Sequence, residues 1–126
     1  MRVLLDTSTF LFAVESPAKL SAAARRVFSK SSFERELSVI SFVEMAIKRA
    51  SGKLTFTPDD FRKGINDLEL RTLPVTEVHA TRMFDVPLYH PDPFDRLLVA
   101  QALAEDIPIV TCDETFERYQ GLKVIW

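Results

Sequence analysis

Arg2-Val3-Leu4-Leu5-Asp6-Thr7-Ser8 reads as a short apolar strand that stops at a carboxylate. Consecutive apolar residues without polar alternation are what a strand covered on both faces requires. The pattern of apolar run followed by acid recurs downstream. Leu37-Ser38-Val39-Ile40 precedes Glu44, and Ile107-Pro108-Ile109-Val110 precedes Thr111-Cys112-Asp113. A fourth acid, Asp95, stands in His90-Pro91-Asp92-Pro93-Phe94-Asp95-Arg96. Strands buried on both faces are usually parallel and need crossover connections, and helix-like segments fill the gaps between these runs.

Phe10 to Val14 predicts a short helix that ends near Ser16-Pro17. Ser21 caps a helix through about Ser29, with Ala24, Val27 and Phe28 at helical spacing. Ser41-Phe42-Val43-Glu44 matches the Ser-x-x-Glu capping pattern and opens a helix that Gly52 stops. Thr57 and Pro58 open the next, with Phe61, Ile65 and Leu68 inward. Leu70 to Val75 is a weak third strand broken by Pro74. Glu77 to about Phe84 is helical, with Val78 and Met83 on its inner face. Pro87, Pro91 and Pro93 make the following stretch a loop. Phe94 to Glu105 is apolar through its middle, which predicts a helix buried on more than one side. A short helix follows Asp113 through Tyr119, and Val124-Ile125 closes as an edge-like strand. Strands alternating with helices predict an α/β fold: a three-layer α/β/α sandwich with a central, mainly parallel sheet. One domain spanning residues 1–126 is expected.

Bulk properties narrow the function classes. A chain of 126 residues buries roughly two-thirds of its unfolded surface, so its core needs no disulfide or structural metal. The balance of 16 basic against 18 acidic residues, net −2, is not the basic signature of many nucleic-acid binders, although a local patch is compatible with it. A single cysteine, Cys112, excludes an internal disulfide and a cysteine-rich zinc site, and a reducing, cytoplasmic setting is expected. No apolar run approaches the roughly 18 residues of a membrane span, and no secretory leader is apparent. Nucleotide-binding glycine loops and the nucleophile elbow are absent.

The carboxylates carry the chemistry. In an open parallel sheet, ligands bind beyond the carboxyl ends of the strands, where strand order reverses. Asp6 and Asp113 directly follow strands; Glu44 lies one turn past another; Asp95 lies one turn into the helix before the last long strand. Taken singly, each reads as a helix cap that satisfies free N–H groups and the helix dipole. Taken together, like charges at one edge repel unless a cation neutralises them, and Mg²⁺ or Mn²⁺ prefers carboxylate oxygen. Lys48, four residues after Glu44, reads as its ion-pair partner or, with Arg49 and Lys53, as a phosphate contact. His90 reads as a loop hydrogen-bond partner or a ligand, Cys112 as a small packing residue. Thr7, Ser8 and Thr111 read as turn residues or as groups that orient a carboxylate.

Leu4-Leu5-Asp6-Thr7, Glu44-Met45-Ala46-Ile47-Lys48 with Gly52-Lys53-Leu54, Asp92-Pro93-Phe94-Asp95-Arg96 with Leu97 to Ala102, and Val110-Thr111-Cys112-Asp113 with Phe116 resemble the PIN-domain family. The resemblance is to VapC-type ribonuclease toxins of prokaryotic toxin–antitoxin pairs, and it spans the chain in order. It implies a PIN-like fold and a Mg²⁺- or Mn²⁺-dependent endoribonuclease, a hydrolase of RNA phosphodiester bonds. Asp6, Glu44, Asp95 and Asp113 are then the catalytic and metal-binding acids, with Asp6 and Asp95 the firmest ligands. It further implies an RNA substrate, a VapB-like antitoxin partner and a homodimer. Ser8, Val43 and Cys112 depart from residues common in close relatives, and these departures leave the acid set intact. A PIN-fold nuclease of RNA processing, or a non-catalytic interaction module with the acids as caps, are the alternatives.

Overall fold

β1 (Arg2–Leu5) is the central strand of a five-stranded sheet. The computed structural model describes residues 1–126. β2 (Glu34–Ser38), β3 (Arg71–Leu73), β4 (Ile109–Val110) and β5 (Val124–Ile125) complete the sheet in the order β3-β2-β1-β4-β5. Every pairing is parallel. The chain therefore builds outward from β1 to one side, then returns to β1 and builds to the other. Strand order reverses between β1 and β4, where Leu5 lies beside Val110.

Alternation along β1 sets the layers. Val3 and Leu5 point into one core with Phe10, Val27, Met45 and Phe61, whereas Leu4 points into the other with Leu98, Val99, Ile109 and Phe116. All three β1 side chains have no solvent exposure, as the unbroken apolar run requires. On the first face lie α1 (Thr7–Glu15), α2 (Ala22–Ser29) and α4 (Pro58–Asp67). On the second lie α5 (Glu77–Arg82) and α6 (Pro93–Glu105). α3 (Val39–Ala50) contributes Met45 to the first core and Ile40 to the second. The fold is the expected three-layer α/β/α sandwich.

Four local expectations are corrected. The second strand is Glu34–Ser38, not Leu37 to Ile40, and its charged residues Arg35 and Glu36 are buried. Arg35 donates to the carbonyls of Leu68 and Val27, and Glu36 pairs with Arg2 across the sheet. These partners supply what hydrophobicity would have supplied. As a result α3 starts at Val39, with Ser38 rather than Ser41 as its N-cap, accepting from the Ile40 N–H at 3.1 Å. The Ser41–Glu44 capping box does not form. On α5, Val78 is two-thirds exposed and His79 is the inner residue. His79 takes the Thr76 N–H on Nδ1 and bonds Glu105 through Nε2 at 2.9 Å. α1 also begins three residues earlier than the apolar pattern suggests, directly at Asp6.

Candidate active site

The cleft lies at the carboxyl ends of β1 and β4, where the strand order reverses. Asp6 is held there by three bonds. Its N–H donates to the Val110 carbonyl; its Oδ1 accepts the Thr9 N–H at 2.8 Å as the cap of α1; its Oδ2 accepts the Thr111 hydroxyl at 2.6 Å. Thr9 donates its own hydroxyl to the same Val110 carbonyl, so the register of β1 on β4 fixes the carboxylate. Burial pushes the Asp6 carboxyl above the ordinary range, against the bonds from Thr111 and Thr9 that favour its charge.

Asp113 caps the short 3-10 turn Glu114–Arg118 through Oδ1, which accepts the Thr115 N–H at 2.9 Å. Its Oδ2 faces His90 Nε2 at 2.9 Å. Burial alone would raise the Asp113 carboxyl, but the bonds from His90 and Thr115 outweigh it and hold the group below its usual value. Glu44 stands on the second turn of α3, buried, its Oε1 accepting the Thr7 hydroxyl at 2.8 Å and its Oε2 meeting Lys48 Nζ at 2.7 Å. Ser41 steadies the Thr7 hydroxyl from the same helix, at 2.9 Å. The bond to Glu44 raises Lys48, and Asp92 and Asp95 add to it.

Asp95 differs from the other three. It sits in the first turn of α6, yet the cap of that helix is Asp92, which accepts the Phe94 N–H. No hydrogen bond favours the charge of Asp95. Burial first, then Asp92, Glu44 and Asp6, raise it from the ordinary 3.8 to about 6.

Of the four acids expected to share a site, Asp95 and Asp113 fall in one tight group. Ligand atoms of His90, Asp95 and Asp113 lie within 4.8 Å of one another, close enough to hold one ion. Asp6 and Glu44 stand outside that tight group but act electrostatically on Asp95. Carboxylate oxygens suit a hard divalent cation, and the raised Asp95 carboxyl gives such a cation a reason to bind.

A family model described as PIN domain matches residues 3–122. The chain belongs to the PIN domain family. Solved structures agree with this PIN fold. VapBC2 from Rickettsia felis, bound to a DNA fragment from the promoter, superposes with a TM-score of 0.75 at 14% identity, covering 98% of this chain and 97% of that one. DNA-bound VapBC from Salmonella typhimurium gives 0.72 at 18% identity over 98% and 96%. VapBC-5 from Mycobacterium tuberculosis, of the VapBC family of toxin-antitoxin systems, gives 0.61 at 18% over 98% and 97%. At these identities the likeness is one of fold. Comparison with curated protein sequences gave no match.

Sequence reasoning missed several parts of this PIN cleft. Asp92 was legible as a cap but not as a neighbour of Asp95 and Lys48. Tyr119 stands behind His90, its hydroxyl 2.7 Å from Nδ1. A tyrosine at a strand-side turn is a signal in itself, since a buried phenol needs a partner. Cys112, expected to pack, is exposed, and partial desolvation with the nearby Asp6 and Asp113 raises its pKa. Ser8 is exposed, whereas Thr7 and Thr111 bond Glu44 and Asp6.

Proposed function

We propose that this PIN domain is a divalent-metal-dependent endoribonuclease, the toxin of a toxin–antitoxin pair, with Asp6, Glu44, Asp95 and Asp113 as its catalytic acids. One observation carries the metal part: Asp95 is a carboxyl that burial and neighbouring acids raise and that the fold leaves without a hydrogen bond. A capping role accounts for Asp6 and Asp113, which do cap. It does not account for Asp95 or for Glu44, which caps nothing.

Asp95 and Asp113 would hold Mg²⁺ or Mn²⁺ directly, with Asp6 and Glu44 beside them. Such an ion, when bound, lowers the pKa of water and polarises a phosphoryl oxygen. The chain's own residues do the rest. Thr111 and Thr9 fix Asp6, and Thr7 and Ser41 fix Glu44, so the carboxylates do not turn away when charge develops. Lys48, held on Glu44, is the cation of the cleft placed to meet a phosphate.

The toxin part rests on the VapBC complexes that share the fold, with an antitoxin as the expected partner. Its docking place would be the groove of about 680 Å³ between α3 and α4, lined by Phe42, Met45, Phe56 and Phe61, with Arg49 and Arg62 at the rim. A homodimer would use the exposed stripe Val39, Val43 and Ile47 of α3. No helix is long and apolar enough to cross a membrane.

Purified protein is incubated with structured RNAs in Mg²⁺, Mn²⁺ or EDTA, beside Asp95→Asn prepared identically. Cleavage by wild type alone, abolished by EDTA, supports the assignment. Equal cleavage by both proteins, or cleavage that survives EDTA, refutes it.

A further inference from the structure

We propose that His90 and Tyr119 are positioning residues that fix the orientation of the Asp113 carboxylate, and that His90 is not itself a metal ligand. The proposal rests on the reading of the cleft above. His90 is buried at the end of the proline-rich loop, and its hydrogen-bond partners assign every proton on its ring. An ionised carboxylate only accepts, so the Nε2 that lies 2.9 Å from Asp113 Oδ2 carries the hydrogen. In a neutral imidazole Nδ1 is then the acceptor. The Tyr119 oxygen, 2.7 Å from Nδ1, already accepts the backbone N–H of His90 at 3.1 Å, so its own proton points to Nδ1. The relay runs in one direction: Tyr119 O–H to His90 Nδ1, then His90 Nε2–H to Asp113.

Neither ring nitrogen keeps a lone pair for an ion, although Nε2 lies within 4.8 Å of the Asp95 and Asp113 oxygens. The Thr115 N–H holds the other Asp113 oxygen, so the carboxylate is gripped at both ends. Rings lock the imidazole in turn. Tyr119 lies parallel to it with centroids 5.6 Å apart, and Phe116 leans on it at 4.4 Å. Tyr89 packs edge-on against Tyr119, beneath Arg118. His79 provides the contrast. It has the same proton arrangement, but its Nε2 faces Glu105 at the far end of α6 and its Nδ1 closes a helix cap, so it ends on no acid of the cleft.

The test has a metal-free arm and a metal arm. In metal-free protein, ¹⁵N NMR of the two imidazoles, assigned with His90→Gln, is expected to show His90 protonated on Nε2. Protonation on Nδ1 overturns the relay. In the metal arm, Mn²⁺ is titrated by calorimetry into wild type, Tyr119→Phe, His90→Ala and His90→Gln. Tyr119→Phe keeps every ring contact and is expected to fold, yet to bind Mn²⁺ about tenfold more weakly. His90→Ala weakens binding by about 10–100-fold, and His90→Gln, whose amide restores an N–H donor, recovers part of that loss. Unchanged affinity in Tyr119→Phe, or no recovery in His90→Gln, overturns the proposal. So does a directly bound imidazole nitrogen in the spin-echo spectrum of the Mn²⁺-loaded protein. If wild type binds no Mn²⁺, the metal reading of the cleft falls, and the NMR result still decides this proposal.

Discussion

Asp95→Asn should make the protein more stable, in the absence of metal, near neutral pH. The carboxyl is raised from 3.8 to about 6, roughly two pH units, which at 1.36 kcal/mol per unit is about 3 kcal/mol of strain in the ionised form. Asp95 is only half-buried, so solvent screening reduces this to about 1–2 kcal/mol. The variant forgoes a favourable dipole interaction at the start of α6, about 0.3–1 kcal/mol. The net expectation is a gain of about 1 kcal/mol, or about 3–5 °C in Tm for a domain of this size. The sign with pH follows from linkage. The folded carboxyl titrates higher than the unfolded one, so wild type loses stability as pH rises from about 4 to about 6, then no further. The advantage of the variant is therefore absent at pH 4, grows through that window and is flat by pH 7.5. Thermal denaturation in EDTA at pH 4, 5, 6 and 7.5 measures it. Saturating Mg²⁺ should reverse the order, by stabilising wild type alone. A variant less stable at pH 7.5, or an advantage independent of pH, would refute the electrostatic account of Asp95.

Three other outcomes are expected. Arg35→Met strands the Leu68 and Val27 carbonyls, each 3.1 Å from an Arg35 nitrogen, and should cost about 2–3 kcal/mol in urea denaturation; a neutral result would show that water replaces the guanidinium. Gly64→Ala would set a Cβ 3.0 Å from both Phe10 Cζ and Val14 Cγ2. Because Phe10 is fully buried and cannot withdraw, overpacking of about 1–3 kcal/mol should exceed the helix gain of about 1 kcal/mol and lower Tm. Thr7→Val removes the hydroxyl that holds Glu44 Oε1 and should reduce RNA cleavage about tenfold, whereas unchanged activity would separate Glu44 from the chemistry.

The architecture was legible because the β1 and β4 runs are purely apolar and each stops at a polar turn. β2 was not, and the reason is specific. Glu34-Arg35-Glu36 has no local signature of a buried strand, since what buries it is far away: Arg2 on β1, and the ends of α2 and α4. The misplaced strand also shifted the start of α3, which gave Glu44 a capping role that it does not have. His79 was overlooked for the same kind of reason, since it is buried against Glu105 and Gln101, residues of another helix. Capping does not exhaust Asp6 and Asp113, since each spends one oxygen on a helix and turns the other to Thr111 or His90. Which acid lacked a partner was invisible, because hydrogen bonds are a property of the assembled edge.

The central position of β1 also bears on how late the acidic edge is assembled. This strand is made before every strand it pairs with, and the contact that completes Asp6 comes from Thr111, 105 residues later. At synthesis rates of about 5–20 residues per second, β1 waits roughly 5–20 s on the ribosome before its second neighbour exists. A nascent chain therefore holds no assembled acidic edge until translation has passed Asp113. Prematurely terminated products lack that edge and carry an unpaired apolar strand that invites aggregation or capture by chaperones.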